Sequence, residues 1–361
     1  MAHVKYSTLE IDVDDSRCQA KGLGPAIYES CTGNFMKHSM TWTRTGLGAM
    51  AVALISLHPV LAQSKHRSVI PEADADYYID RDHSQRVKFR VGLRIEAPAG
   101  ALLRAVATTV NPIEWPEQQL VLEKDETPPS IQVQTRNLGG TAEQLLLRVP
   151  GLARGSSLTC ARTYELTRWT QRIRPETKDQ FRVPPADRVR TLLLPSDGIE
   201  AGHAEIRAFA AEVIRDKATA WDQVQGIFEA TRTRVKYSQG LFAGALAGLR
   251  SGQGDCEERS CLFIACCRAS GIPARLVWGP QHSWSEFALV DSEGRLLWIP
   301  ADPTKEERLG VINHFIPILQ KGDRFTLPEV PGKPQRYLAP RCSGTGATPT
   351  LASIEQIEPL E

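Results

Sequence analysis

The sequence predicts an α+β protein in which an N-terminal antiparallel β-sandwich is followed by a domain of mixed helices and strands. Three observations predict this class. Residues 86–96 alternate strictly between apolar and polar side chains, and apolar residues recur at helical spacing after residue 203. An apolar, helix-like segment that begins at residue 256 is then followed by three short strand-like runs.

The β-sandwich is predicted over residues 80–175. One side of its first strand carries the apolar residues Val87, Phe89, Val91, Leu93 and Ile95. Such alternation is typical of a strand with one buried and one solvated face. The same period of two recurs in residues 131–133, 145–149 and 158–166, between turn-forming residues. Cys160 shares the parity of its apolar neighbours, so we expect it in the core.

A segment rich in proline and charge, residues 176–202, is predicted to link this module to an α+β domain at residues 203–325. Two amphipathic helices are expected first, and then a helix that stops at the terminator Gly271-Ile272-Pro273. Strands are predicted at 274–278, 284–290 and 296–299. Residues 326–361 are predicted to form an extended C-terminal tail, with little fixed structure in the last twenty residues.

Bulk composition limits the classes of function. The 361 residues are 42% hydrophobic and 24% charged, which is globular composition with enough apolar residues for a real core. Lys and Arg total 43 against 42 Asp and Glu, a formal net charge of +1. This balance gives no electrostatic case for a nucleic-acid partner.

Residues 36–62 have the pattern of a signal sequence. Lys37, His38 and Arg44 precede an uncharged run at 46–57, and small residues follow it. The run is shorter than the roughly 20 residues that span a bilayer. We therefore expect a secreted or periplasmic protein that contacts the membrane only if this sequence stays uncleaved. The preceding residues 1–35 are then a non-translated or disordered leader, with translation starting at Met36 or Met40.

Cys256 is the strongest candidate for a reactive residue among the eight cysteines. It opens the predicted helix, where free backbone N–H groups and the positive end of the helix dipole favour a thiolate. A cysteine nucleophile needs a base that takes its proton and later returns it to the leaving group, and His282 suits that role. Asp302 follows the strand run 296–299 and can hold the imidazole in one tautomer.

These residues lie within four ordered motifs: Gly254-Asp255-Cys256-Glu257-Glu258, Arg268-Ala269-Ser270-Gly271-Ile272-Pro273-Ala274-Arg275, His282-Ser283-Trp284-Ser285-Glu286 and Trp298-Ile299-Pro300-Ala301-Asp302-Pro303-Thr304. In this order they resemble the core of the transglutaminase-like superfamily, over roughly residues 200–310, and the preceding β-module resembles exported bacterial members. The resemblance implies a papain-like α+β fold and a Cys256–His282–Asp302 triad. It implies a peptide or protein substrate, and no metal or cofactor.

Other residues of the site are predicted with less specific roles. The oxyanion formed on attack needs donors besides the N–H of Cys256, and Tyr237 and Gln253 are the candidates. Each also has a plain structural interpretation, Tyr237 as a core aromatic and Gln253 as a solvated loop residue. Three residues are assigned supporting roles: Asp255, Trp284 and Glu286. Trp284 and Glu286 are expected to position the histidine by packing and hydrogen bonding.

Three other functions compete with a cysteine peptidase or amidase. A zinc site at Cys256, Cys261, Cys266 and Cys267 is disfavoured, because five residues turn a helix by about 140° and eleven residues rise about 16 Å. A secreted peptide-binding or scaffold protein without turnover is disfavoured by the intact triad. Protein-glutamine crosslinking stays open, since nothing in the sequence specifies the acyl acceptor. Whether Cys160 and Cys342 pair is also left open.

Overall fold

The computed structural model describes residue 72 and residues 78–360. The predicted leader at 1–35 and signal sequence at 36–62 lie outside the described residues. Within the described part of the chain, no helix is both long enough and apolar enough to cross a membrane.

The first sheet of the N-terminal module is antiparallel and is centred on two long strands. β1 (Ile79–Glu96) pairs with β6 (Ser157–Arg172) along most of its length, with an irregularity between Asp80 and Ser84. Its other strands are β3 (Gln118–Asp125) and β12 (Val311–Ile312), which pair with β6, and β15 (Thr350–Pro359), which pairs with β1.

The second sheet has the strand order β14-β2-β5-β4. Its members are β2 (Leu102–Asn111), β4 (Gln132–Asn137), β5 (Glu143–Leu152) and β14 (Arg341–Gly346), all antiparallel. Leu93 and Cys160 of the first sheet pack in one buried cluster with Leu102 and Leu147 of the second. The two sheets therefore bury their apolar faces against each other, as the alternation predicted.

The prediction of an extended C-terminal tail with little fixed structure in its last twenty residues is wrong. β14 pairs with β2, and β15 pairs with β1 over ten residues, from Val87↔Pro359 to Glu96↔Thr350. Both strands close an edge of a sheet, and each pairs with a strand more than 200 residues earlier in the chain. Their polar and glycine-rich composition hides this, because edge strands expose most of their side chains.

Short helical turns occupy the predicted linker, at Pro175–Gln180, at α1 (Ala186–Val189) and at Arg190–Leu193. The helices that follow are α2 (Ala204–Ile214), α3 (Ala220–Arg234), α4 (Ala245–Ser251) and α5 (Cys256–Ala269). Two short strands, β7 (Lys236–Tyr237) and β8 (Gln253–Gly254), pair in parallel just before α5.

The sheet of this domain has the order β11-β10-β9-β13. It consists of β9 (Ala274–Gly279), β10 (His282–Val290), β11 (Leu296–Ala301) and β13 (Gln320–Lys321), all antiparallel. Phe287 of β10 meets Phe263 of α5 edge to face at 6.2 Å, so α5 covers one face of the sheet. The predicted α+β fold class, β-sandwich first, is confirmed.

Gly92 is fixed by close packing inside the sandwich. A Cβ at this position would lie 2.2 Å from the carbonyl oxygen of Cys160 and 2.6 Å from Cα of Ala161 on the adjacent strand. We expect Gly92→Ala to lower the free energy of unfolding by about 1–3 kcal/mol, since rigid backbone must shift. Urea unfolding measures it. Gly202→Ala is the control, because nothing lies within 4 Å of the added methyl; equal stability of the two variants would contradict the expectation.

Candidate active site

Cys256 is the first residue of α5, and the sequence around it builds a helix start with a specific cap. Asp255 is the N-cap, and its side chain accepts a hydrogen bond from the Glu257 amide at 2.8 Å. Glu258 completes the capping box by accepting from the Asp255 amide at 3.0 Å. Gly254 is required here, because a Cβ would lie 2.4 Å from Cβ of Glu258. The motif therefore places the thiol at a rigid helix tip.

The capping hydrogen bonds leave one backbone amide of the first helical turn, that of Cys256, available as a donor. Asp255 takes the amides of Glu257 and Glu258. Among the described residues, the amide of Cys256 has no hydrogen-bond partner. It is thus a donor directly beside the thiol, where an oxyanion would form. Burial also raises the pKa of Asp255 to about 6.

His282 opens β10, directly after a tight turn from β9. The turn residue Gln281 has φ = 55°, a left-handed conformation that is uncommon for a residue with a side chain. His282 pairs with Gly279 across this turn, which fixes where the imidazole projects. Strained backbone beside a candidate site residue is the usual sign that geometry is imposed by the surrounding fold.

Asp302 follows directly on β11 and is buried. Its Oδ2 lies 2.7 Å from Nε2 of His282, while its Oδ1 accepts from the amides of Thr304 at 2.9 Å and Lys305 at 3.3 Å. The backbone amides therefore fix the carboxylate, and the carboxylate fixes the imidazole. With Nε2 engaged, Nδ1 is the ring nitrogen left to interact with Cys256, which helps to raise the pKa of His282.

The electrostatics favour a charged histidine at this site. Burial alone would lower the pKa of His282, but the hydrogen bond to Asp302 and the nearby Cys256 outweigh it and raise that pKa to about 9. Burial would likewise raise the pKa of Asp302, yet its close contacts with His282 and His314 hold it well below its usual range. An imidazolium beside a cysteine stabilises the thiolate, which is the nucleophilic form.

The two oxyanion candidates lie in the strand pair that leads into Cys256. Tyr237 of β7 is the register partner of Gly254, and Gln253 immediately precedes Gly254 in β8. Tyr237 is 53% exposed, so its interpretation as a core aromatic is wrong. Its ring lies 5.9 Å from the guanidinium of Arg259, a cation–π contact beside the helix tip. Both residues are placed next to the nucleophile by the backbone, and their donor roles stay predictions.

Trp284 and Glu286 share a face of β10 with His282, opposite α5. Trp284 is fully buried and stacks on the His282 ring, with centroids 5.9 Å apart and an interplanar angle of 23°. Glu286 does not hydrogen-bond to His282, contrary to the expectation that it positions the histidine in this way. It pairs instead with Arg275 at 2.8 Å and Lys321 at 2.5 Å. Trp284 therefore contacts the His282 ring directly, whereas Glu286 contributes only through its ion pairs with neighbouring strands.

Lys321 connects this strand to the β-module. Its buried ammonium lies 2.6 Å from Glu117, just before β3, and 2.5 Å from Glu286 of β10. It also lies 4.7 Å above the ring of Trp115. A single buried cation thus neutralises one carboxylate from each domain, and the β-module forms the second layer behind the histidine strand.

The titration of Glu286 predicts a pH dependence of stability. Burial would raise its pKa, but Lys321 and Arg275 lower it to about 2, below the value of about 4.3 in an unfolded chain. A lowered folded-state pKa contributes stability above about pH 5 that disappears as the pH falls toward 2. We expect Glu286→Gln to be less stable than wild type near neutral pH, with a deficit that narrows over this window. Urea unfolding across pH tests it, with exposed Glu306→Gln as control; a constant deficit would contradict it.

His314 is a site residue that the sequence analysis missed. It lies in the segment after β12, with its Nε2 3.5 Å from Oδ2 of Asp302. Its ring meets His282 and Trp284 nearly at right angles, with centroids 5.6 Å and 4.9 Å away. Burial lowers its pKa to about 4. No spacing rule connects His314 to the four motifs. The sequence offers only the presence of a histidine within a mostly apolar stretch, residues 311–319.

The other five cysteines in the described part of the chain are packing residues or partly exposed free thiols. Cys261, Cys266 and Cys267 are fully buried along α5, and burial raises the pKa of each thiol. Cys160 and Cys342 are both free thiols, with Cys160 buried in the sandwich core as predicted. Of the four thiols on α5, only Cys256 is accessible.

Comparisons with known proteins show which family and which solved structures this chain is similar to. The model of the transglutaminase-like superfamily matches residues 207–303. No curated protein matches the chain. A crystal structure from Cytophaga hutchinsonii, described as a "putative cysteine protease", is similar with a TM-score of 0.55 and 16% identity, over 77% of this chain and 92% of that one. A "putative protease" from Parabacteroides distasonis aligns with a TM-score of 0.26 and 12% identity, over 61% and 43%.

The likeness to the first of these structures is one of fold, whereas the family match rests on the sequence itself. The matched segment begins in α2 and ends just after Asp302, so it contains Cys256 and His282 as well. Residues 207–303 of this chain are a domain of the transglutaminase-like superfamily.

Proposed function

We propose that the protein is a cysteine-dependent acyl-transfer enzyme that cleaves or exchanges a peptide or amide bond through Cys256, His282 and Asp302. The observation that carries the proposal is the position of His282, which is hydrogen-bonded to Asp302 through Nε2 at 2.7 Å and lies close enough to Cys256 for that residue to raise its pKa. A buried imidazole held between a carboxylate and a thiol at a helix tip has the arrangement of a nucleophile, a base and an orienting acid.

The proposed reaction has two steps. The Cys256 thiolate attacks the substrate carbonyl, and the oxyanion accepts a hydrogen bond from the free amide of Cys256. The imidazolium of His282 then gives its Nδ1 proton to the leaving amine, which departs as the thioester forms. Neutral His282 next takes a proton from water, the hydroxide attacks the thioester, and the thiolate leaves with the acid product. An amine in place of water would give transfer instead of hydrolysis.

The test is labelling of the purified protein with limiting iodoacetamide, followed by peptide mapping. We expect Cys256 to react first and His282→Ala to slow its labelling by at least tenfold, because the neighbouring imidazolium is lost. Cys342→Ala is the matched control, since it removes the other partly exposed thiol and leaves the site alone. Equal labelling of Cys256 in the His282→Ala variant, or preferential labelling of another cysteine, would overturn the proposal.

Substrate challenge separates the acyl acceptors. Peptide and glutamine-donor substrates are incubated with the protein, each with and without an added primary amine. Free acid as the product in both conditions assigns hydrolysis, and incorporation of the amine assigns transfer or crosslinking. If Cys256→Ala retains the biological role of the protein while a substitution that blocks access to Cys256 abolishes it, the protein is a binding scaffold and the enzyme proposal fails.

We also propose that the enzyme acts outside the cytoplasm. The support is the basic flank and apolar run of residues 36–62, with small residues at their end. N-terminal sequencing of secreted or periplasmic material is expected to show a start shortly after residue 62. An exported protein that begins before Met36 would contradict this proposal.

A further inference from the structure

We propose that a zinc-type divalent ion binds across His282, Asp302 and His314 and inhibits the site. The inhibition rests on the proposed function, whereas the binding itself does not. The ligand atoms would be Nε2 of each histidine and Oδ2 of the carboxylate. One potential ligand atom from each of the three residues lies within 4.8 Å of the other two.

The distances are close to those of a coordination site. Oδ2 of Asp302 is 2.7 Å from Nε2 of His282 and 3.5 Å from Nε2 of His314. Zinc binds nitrogen and carboxylate oxygen at about 2.0–2.2 Å, which sets neighbouring ligand atoms about 3.3–3.5 Å apart. From the limit of 4.8 Å, the two imidazole ligand atoms need to approach each other by about 1.5 Å at most, within the reach of side-chain rotation.

The unpaired ring nitrogens of His314 are a second reason to expect an ion at this site. Both of its ring nitrogens are buried without a hydrogen-bond partner in the described part of the chain, and its side chain is only 13% exposed. Buried polar groups are nearly always paired, so each exception calls for a physical reason. Nε2 of this ring points at a carboxylate oxygen that already serves His282. A shared cation would satisfy this nitrogen and keep the carboxylate bonded to both rings.

The donor set selects the class of ion. Two neutral imidazoles and one carboxylate suit zinc and related transition metals, whereas magnesium and calcium prefer oxygen ligands throughout. The outer contacts are in place, because Thr304 and Lys305 amides hold the far oxygen of Asp302 and Trp284 packs against both rings. Such contacts orient metal ligands before the ion arrives.

The segment that carries His314 is held in place by the β-module. Ile312 pairs with Gln171 of β6, and the carbonyl of Ile316 accepts a hydrogen bond from buried Arg168 at 3.3 Å. Ile318 then exchanges two hydrogen bonds with the Gln118 side chain, at 2.6 and 3.0 Å. The residues on both sides of His314 are therefore anchored, which reduces the entropy lost when the ion binds.

Binding and catalysis exclude each other at His282. When Nε2 donates its lone pair to the ion, the proton that it shared with Asp302 leaves to solvent. The remaining ring proton stays on Nδ1, so the ring is no longer an imidazolium that can protonate the leaving amine, and Nδ1 cannot take a proton from the attacking water. A bound ion therefore removes the base while leaving the thiol untouched.

The experiment measures binding without turnover. The Cys256→Ala protein is titrated with zinc alone by calorimetry and by competition with a chromophoric chelator. We expect one ion per chain, and at least about tenfold weaker binding in Cys256→Ala/His314→Gln. His83→Gln is the matched control, because this histidine is 71% exposed and pairs with Asp80 at the surface. Loss of binding in Cys256→Ala alone, or equal binding in the His314→Gln variant, would overturn the proposal.

A second measurement uses the wild-type protein and does not depend on variants folding. Cobalt replaces zinc, and its visible spectrum reports the ligands. The three proposed ligands give d–d bands without thiolate-to-cobalt charge transfer, whereas coordination by Cys256 gives that band and contradicts the proposal. The labelling test above is performed without metal, so failure of the proposed enzyme and failure of the metal site are separate outcomes.

Discussion

Asp302→Asn is expected to lower turnover by about 10⁴-fold, the effect of the equivalent change in a serine-protease triad. An asparagine has nearly the same shape, so the contacts with the Thr304 and Lys305 amides can persist. It carries no negative charge to stabilise the imidazolium of His282, and its amide can favour the wrong tautomer. The pKa of His282, which hydrogen bonds to this carboxylate help to raise to about 9, would fall.

Two readouts check this prediction. Turnover is measured on the substrate found by the acceptor screen, and the rate of iodoacetamide labelling of Cys256 is measured in parallel. Asp291→Asn is the control, because Asp291 is a buried turn aspartate at the far end of β10 whose Oδ1 also accepts two backbone amides, from Glu293 and Arg295. Activity of Asp302→Asn close to that of Asp291→Asn would remove the carboxylate from the proposed mechanism.

Lys321→Met is expected to lower the free energy of unfolding by about 3–5 kcal/mol, the usual cost of removing one partner from a buried ion pair. The side chains of Lys321, Glu117 and Glu286 are at most 2% exposed. Methionine fills much of the same volume, so packing is largely retained. What is lost is the cation, and the Glu117 carboxylate is left buried without its ion-pair partner.

Chemical unfolding monitored by tryptophan fluorescence measures this loss. Lys124→Met is the matched control, since Lys124 is 66% exposed and pairs with Glu126 at the surface, where a change within about 0.5 kcal/mol is expected. Adding Glu117→Gln to Lys321→Met should restore part of the stability by removing the unpaired charge. A loss below about 1 kcal/mol in Lys321→Met would show that the buried cation does not join the two domains energetically.

The helix and strands of the site could be predicted because their signals are local. Asp255 and Glu258 form a capping box within four residues, and Gly271-Ile272-Pro273 marks the helix end within three. The helix of the structure, Cys256–Ala269, agrees with the prediction to one residue. Asp302 directly after a strand is a signal of the same local kind.

Features that depend on distant parts of the chain could not be predicted. β14 and β15 carry polar, glycine-containing sequences whose strand conformation comes from partners more than 200 residues away. His314 and Lys321 lie in a segment without clear periodicity, and their partners are Asp302 after β11, Glu286 of β10 and Glu117 before β3. A sequence without an alignment contains no information on which of its buried polar residues meet.

The β-module therefore has a structural role at the site that its sequence does not suggest. Glu117, Gln118 and Arg168 hold the segment that carries His314 and the residue Lys321 behind the histidine strand. Substitutions of these β-module residues are expected to alter the geometry of His282 without any direct contact with Cys256.

The pairing of β15 with β1 also affects the order of events during synthesis. β1 and β6 emerge early, but the partner for the other edge of β1 begins only at Thr350. At roughly 5–20 residues per second, the ribosome needs about 10–40 s to reach that strand after Arg172. For that time the nascent chain exposes an unpaired strand edge, which is a template for aggregation. Export of the completed chain in an unfolded form would remove this waiting period, because all strands would then become available together.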